Sequence, residues 1–430
     1  MFSAPRPVLA AVLALTLTSG AAAQGRGGPE QTVQRLVASA PFKAAVATLD
    51  RTHDQTVADT IKLTEIPAPP FKEEARAKAY MEMLKAHGLT DVEMDAEGNV
   101  MGLRRGAGPA GGKVVVLAAH LDTVFPEGTP IKVRREGTKL HAPGVGDDTH
   151  SLAVLLAYVR ALDAAKIRTK SDILFVGNVG EEGPGDLRGV RYLFTKGKYK
   201  DRIGAFFSMD GTSAERVTYG AVGSRRYRVT FKGPGGHSYG AYGVVNPMAA
   251  MGTTVVEMNR ITTPAKPKTT YATSVVGGGT SVNSIPDAIW LEVDMRSESK
   301  EELAKLDSRF LEIVKDAVAT ENKARNTRFG EISAEVKLIG DRPTGSTRED
   351  AEIVRATTAA VKAAGYTPVL GASSTDSNMP ISLGIPAVTI GSGGTGGRAH
   401  AVDEWIDVEK TQSVRGQAVG LAAVLAMAGV

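Results

Sequence analysis

The sequence predicts an α/β fold: a mainly parallel sheet flanked by helices, with a separate α+β unit inserted into it. Three observations carry this prediction. Residues 113–119 (KVVVLAA), 172–178 (DILFVGN) and 204–209 (GAFFSM) are near-continuous apolar runs, the pattern of strands buried on both faces. A strongly helical stretch, 151–165, lies between the first two runs, and strand–helix alternation builds parallel sheets. From about Gly223 the pattern changes to alternating strands and longer helices.

The elements follow in order. Residues 31–63 read as mostly helical and end at Ile66-Pro67-Ala68-Pro69-Pro70, through which no helix continues. Residues 73–87 form a second helix, stopped by Gly88. In the later pattern, 225–231 (RRYRVTF) alternates as a strand, 246–261 is a helix, and 269–276 and 288–295 are strands. Residues 301–324 make a long helix and 331–338 a last strand. That order, β-α-β-β-α-β, is ferredoxin-like. From Asp350 the first pattern resumes with a helix to Ala364 and a buried run at 386–390.

With 430 residues the chain can fill two or three domains. Its 42% hydrophobic and 23% charged content is ordinary for a soluble globular protein. Net charge is +4 with no long basic run, so nothing points to nucleic acid or a membrane surface as partner. The absence of cysteine excludes disulfides and thiol catalysis. Residues 1–23 carry Arg6, an apolar run from Val8 to Leu17 and then Ala21-Ala22-Ala23, the layout of a secretory signal peptide. The expectation is an exported, periplasmic or secreted protein. Residues 24–29 read as a Gly-rich leader.

Five short segments hold side chains that ligate metals: HLDTV (His120, Asp122), GVGDD (Asp147, Asp148), GEEG (Glu181, Glu182), SMDG (Asp210) and GGRAH (His400). Two imidazoles with a surplus of carboxylates and no thiol suit two divalent cations held close together. A carboxylate beside a ligand suits a general base. His120, Glu181 and Asp210 each follow a predicted strand, where open α/β sheets gather their ligands. Taken singly, His120 with Asp122 would pass for a satisfied buried pair and Glu181-Glu182 for a solvated turn; jointly and in this order they read as a site. His141 and His150 have no assigned role, and His53 and His87 read as structural residues on solvent-facing helical stretches.

The chain from about Leu63 onward resembles the co-catalytic zinc peptidases that include peptidase T, the glutamate carboxypeptidases, aminoacylase and succinyl-diaminopimelate desuccinylase. The resemblance rests on the His-x-Asp segment, the Asp-Asp pair, the Glu-Glu pair, Asp210-Gly211, GPGGHS around His237, NSIP at 283–286, Asp294-x-Arg296 and His400. One departure is Thr149-His150, where the family often has Lys-Gly after the Asp-Asp. With the signal peptide expected at 1–23, the resemblance implies a catalytic domain in two parts, 24–222 and 341–430, and an inserted lid or dimerisation domain at 223–340. It implies His120, Asp147 and Asp210 around one zinc, and Asp147, Glu182 and His400 around the other, with Asp147 bridging; cobalt or manganese would also suit the donors. It gives Glu181 the role of general base and Asp122 that of a carboxylate partner to the second nitrogen of His120. His237 would reach the site of a second chain in a homodimer and stabilise an oxyanion. Arg296 and Asn283 would hold substrate, as would Gly393 and Gly394 in the loop at 391–397. Asp210 in its place implies an aminopeptidase or dipeptidase acting on short peptides. The runner-up is an N-acyl amino acid amidohydrolase or carboxypeptidase, and a non-catalytic peptide-binding relative stands behind both.

Overall fold

The computed structural model describes residue 1 and residues 27–430, so the expected signal segment, apart from its first residue, lies outside the described residues. The central sheet runs Thr90–Met94, Val100–Arg104, Asp172–Asn178, Val114–His120, Ile203–Met209, Ala387–Ile390, Arg216–Ala221 and Gly345–Ser346, with Val369–Ser373 also on Arg216–Ala221. Its middle is parallel: Val114–His120 pairs in parallel with both neighbours, and Ala387–Ile390 does so with Ile203–Met209. Antiparallel pairs lie toward both edges.

Strand alternation explains why the apolar runs are continuous. Val115, Leu117 and Ala119 pack into a cluster with Leu152, Leu155 and Val159 of the helix His150–Ala164 and Leu421 of the helix Lys410–Ala428. Val114, Val116 and Ala118 point the other way, onto Val190 and Leu193 of the helix Arg188–Thr195. Both faces are therefore buried, and every position must be apolar. Among the described residues, no helix is long and apolar enough to cross a membrane.

A second, four-stranded sheet runs Thr269–Gly278, Ala288–Ser297, Gly223–Lys232 and Ser333–Arg342, antiparallel throughout. The helices Pro247–Met258 and Lys300–Ala324 cover one face through a core of its own, including Val229, Phe231, Leu291, Met295 and Phe310. The other face is polar and carries Arg226, Asp294 and Arg296. The last strand runs to Arg342, past the boundary expected at 340.

Three local expectations change. Residues 31–63 divide into the helices Pro29–Ala38, Ala40–Arg51 and His53–Thr64, and the Ser39 hydroxyl caps the second by accepting from Phe42 N at 3.3 Å. His53 is buried rather than solvent-facing, because its helix turns this face onto the body. Five strands of the central sheet escape prediction: Thr90–Met94, Val100–Arg104, Arg216–Ala221, Gly345–Ser346 and Val369–Ser373.

Candidate metal centre and active site

The central sheet brings the polar segments to one end. His120 closes Val114–His120, Glu181 and Glu182 follow Asp172–Asn178, and Asp210 follows Ile203–Met209. Asp147 and Asp148 lie in the irregular turn Val145–Thr149 that leads into the helix His150–Ala164. His400 takes a left-handed backbone, φ 65°, beyond the strand Thr395–Gly397.

Asp147 stands between the two imidazoles. Its Oδ1 is 2.9 Å from His120 Nε2, and its Oδ2 is 3.1 Å from His400 Nε2. His400 Nε2 is also 3.0 Å from Glu182 Oε1. The ligand atoms of His120, Asp147 and Glu182 lie within 4.8 Å of one another, and so do those of His120, Asp148 and Asp210. The second group contains Asp148 where Asp147 was expected beside Asp210. Asp148 accepts His120 N at 3.0 Å with Oδ2, while its buried Oδ1 has no partner among the described residues. Nitrogen and oxygen donors in two overlapping groups, joined by a carboxylate with one oxygen toward each imidazole, fit a pair of divalent cations.

Asp122 does something different from what was expected. The His120 Nδ1 contact within hydrogen-bond range is the Asp122 backbone carbonyl at 3.0 Å; the carboxylate Oδ1 is 3.6 Å away. That carboxylate instead accepts the amides of Glu181 at 3.1 Å and Glu182 at 2.8 Å. It fixes the turn that carries the acid pair, and the carbonyl of the same residue fixes the imidazole.

Crowded buried acids set the electrostatics. Burial pushes Glu181 well above the usual carboxylate range, against the pull of Arg342. Burial, together with Asp147, raises Asp210 to about 7, and burial raises Asp376 to about 6. Burial would raise Asp147 too, but hydrogen bonds from His120 and His400 outweigh it and hold the carboxyl low. Hydrogen bonds to Asp147 and Glu182 lift His400 to about 10. So many acids at one point favour cations.

The residues expected to touch substrate come from other segments, and among them Gly393 donates its amide to the Thr212 carbonyl, two residues beyond Asp210, at 3.1 Å. His237 is exposed on the two-residue strand Gly236–His237, paired with Ser284–Ile285. Its Nδ1 accepts the amides of Tyr239 at 3.2 Å and Gly240 at 3.3 Å, which leaves the ring proton on Nε2. Asn283 is exposed beside it; its Oδ1 accepts Ser281 Oγ at 2.6 Å and its carbonyl accepts Ser238 N at 2.9 Å. Among the described residues, no hydrogen bond or ion pair joins His237 or Asn283 to the acid–imidazole cluster of the chain. Arg296 donates Nε to Asp294 at 2.7 Å and lines a 240 Å³ pocket with Lys268, Thr270 and Ser374. Gly393 and Gly394 have φ of 87° and 83°, and a Cβ on either would lie 2.8 Å from backbone at Gln417, Ser413 or Asp407. Their glycines thus serve close packing of the chain on itself.

The structure adds residues that the sequence did not single out. Arg342 contacts Glu181, and Glu404 accepts three amides around Asp147. Asp376 accepts Asn178 Nδ2 at 2.7 Å, and Arg76 donates to the carbonyls of Ile66 and Leu121. Only Glu404, an acid four residues after a ligand, carried a signal in its spacing.

A family model for peptidase family M20/M25/M40 matches residues 116–425. The chain belongs to this family, whose members are metal-dependent hydrolases. Over 209 residues it is 28% identical to carboxypeptidase G2 of Pseudomonas sp. (strain RS-16), a match covering 47% of this chain. The chain thus spans about half the length of that curated relative, 48%. The solved aminopeptidase PepT of Bacillus cereus ATCC 10987 superposes with TM-score 0.69 at 20% identity, over 87% of this chain and 99% of that one. The YXEP protein of Bacillus subtilis, a dinuclear metal-binding peptidase of the M20 family, superposes with TM-score 0.63 at 18% identity, over 88% and 99%. These likenesses establish the fold: a mainly parallel α/β sheet flanked by helices.

Proposed function

We propose that this chain is an exported di-zinc metallopeptidase that hydrolyses the amide bond of short peptides, of aminopeptidase or dipeptidase type. The observation that carries it is Asp147, one oxygen 2.9 Å from His120 and the other 3.1 Å from His400, with Glu181 on the turn of Glu182. His120, Asp147 and Asp210, with Asp148 close by, would hold one ion; Asp147, Glu182 and His400 would hold the other. Bound zinc supplies Lewis-acid polarisation of a carbonyl and a more acidic water. Glu181 takes the proton from the attacking water and delivers it to the leaving nitrogen. Asp122 keeps the amides of Glu181 and Glu182 in place through that exchange. His237, with its proton on Nε2, donates to the oxyanion in the site of a second chain, which requires a homodimer through the inserted domain.

Asp210 and the likeness to PepT favour cleavage near a free amino end. A second reading, an N-acyl amino acid amidohydrolase or carboxypeptidase, is supported by the sequence match to carboxypeptidase G2. An assay of the zinc-loaded mature protein over dipeptides, tripeptides and N-acyl amino acids separates them. Turnover of the peptides is the expected result; turnover of N-acyl amino acids alone would transfer the assignment to the second reading. The signal-peptide pattern of residues 1–23 supports a periplasmic or extracellular location; the N-terminal sequence of the exported protein tests this.

A further inference from the structure

The turn that carries the acid pair is gripped by the inserted sheet. Arg342 ends the strand Ser333–Arg342, and its Nη1 donates to Glu181 Oε1 at 3.1 Å and to Ser374 Oγ at 3.0 Å. Its Nη2 donates to the Glu181 carbonyl. Among the described residues, Nε has no protein partner. The paired side chains are 5% and 7% exposed. Asp341, one residue earlier, donates its amide to both carboxylate oxygens of Asp186, at 3.0 and 3.1 Å. Arg226, on the adjacent strand Gly223–Lys232, donates Nη1 to the Gly183 carbonyl at 3.0 Å. Contacts from two adjacent strands thus converge on the single turn 181–186.

We propose that Arg342 is a positioning residue for Glu181, and that through it the placement of the inserted sheet sets the direction of the general base. A glutamate has three side-chain torsions, and water alone would leave its carboxylate in several rotamers. One planar guanidinium that binds both the side-chain oxygen and the carbonyl of the same residue selects a single direction. Both terminal nitrogens donate to Glu181, one to its carboxylate and one to its carbonyl, so the guanidinium grips this residue at two points. Misplacing a reacting group by about 1 Å costs on the order of 100-fold in rate. The inference rests on the reading of Glu181 as the base.

The test uses the zinc-loaded full protein with R342A and R342K, assayed on the best substrate of the panel. R342A should lower kcat about 10- to 100-fold, leave KM within about 2-fold and keep both metals. Added guanidinium ion should restore part of the loss, and R342K should fall between R342A and wild type. In crystals of zinc-loaded R342A, the Glu181 carboxylate should leave its wild-type position. R342Q, which keeps the bulk and one donor, takes the place of R342A if the alanine variant does not fold. An unmoved Glu181 overturns the proposal, as does a rise in KM at unchanged kcat, the mark of a substrate anchor. If wild type hydrolyses nothing on the panel, the proposed function fails, and the position of Glu181 in the R342A crystals still decides this inference.

Discussion

Glu404 accepts the backbone amide of Asp147 at 2.9 Å, and with the same carboxylate it takes the amides of Gly146 at 2.8 Å and Gly144 at 2.7 Å. The side chain is 2% exposed, four residues after His400. One buried acid therefore joins the segment carrying the shared carboxylate to the segment carrying the second imidazole. Glu404→Ala would strand three amides away from water. Leaving a buried donor unpaired costs about 1–3 kcal/mol, so the variant should lose several kcal/mol in denaturant unfolding and bind metal more weakly. Glu404→Gln keeps one acceptor and should fall between. Wild-type stability and metal content in Glu404→Ala would show that water replaces the carboxylate without loss.

Asp147 faces both imidazoles, so it should serve both ions. Asp147→Ala is expected to empty two metal positions at once, whereas Glu182→Ala should empty mainly one. Elemental analysis of the purified mature protein gives the count directly. One metal per chain with full activity in the wild type would rule out the paired centre.

Glu181 and Glu182 are neighbours with different expected tasks. Glu182 Oε1 meets His400 Nε2 at 3.0 Å, while Glu181 Oε1 meets Arg342 at 3.1 Å. Glu181→Ala should keep both metals and lose turnover by about 10²–10⁴-fold, the usual worth of a general acid–base group. Glu182→Ala should lose metal first. Metal loss from Glu181→Ala, or near-full turnover in it, would reverse these assignments.

Acid should destabilise the metal-free protein through its buried histidines. His150 is 2% exposed, with Nδ1 3.1 Å from Thr60 Oγ1 and Nε2 unpaired among the described residues, and burial pushes it down to about 4. Burial lowers His53 as well. The folded state refuses a proton that the unfolded chain accepts near 6.5, so stability is full above that pH and falls as pH drops toward 4. The shift caps the His150 share at about 3 kcal/mol. His150→Gln should flatten the slope of unfolding free energy between pH 7 and 5, before most carboxylates titrate. An unchanged slope in that variant would place the acid sensitivity elsewhere.

The buried strands and the candidate ligand cluster were legible because each is local. A strand covered on both faces must be apolar at every position, and a ligand must be one of a few residue types. What escaped was set by partners distant in sequence. Thr90–Met94 is an edge strand, half-exposed to exposed along its length, so burial left no run to read. Arg342 sits 161 residues from Glu181, and nothing around it marks the pairing. Asp122 was expected to orient His120 with its carboxylate. It does so with its carbonyl, because two amides of the next strand's turn claim the carboxylate.

The dimer proposal has a consequence that simple misfolding would not produce. His237 is exposed, its Nδ1 is fixed by two amides, and its Nε2 proton finds no acceptor in the acid–imidazole cluster of its own chain. The inserted sheet also has open edges at Thr269–Gly278 and Ser333–Arg342, and edges of this kind invite pairing. A symmetric dimer built on such an edge would carry each His237 to the other chain's centre. His237→Ala and Glu181→Ala homodimers should then each be nearly inactive. In a mixed dimer, one of the two sites joins an intact Glu181 to an intact His237, and activity should return toward about half of wild type in that population. Subunit exchange is followed by mass on differently tagged chains, and activity is read on the same samples. Demonstrated exchange with no recovered activity would confine His237 to its own chain or remove it from the reaction.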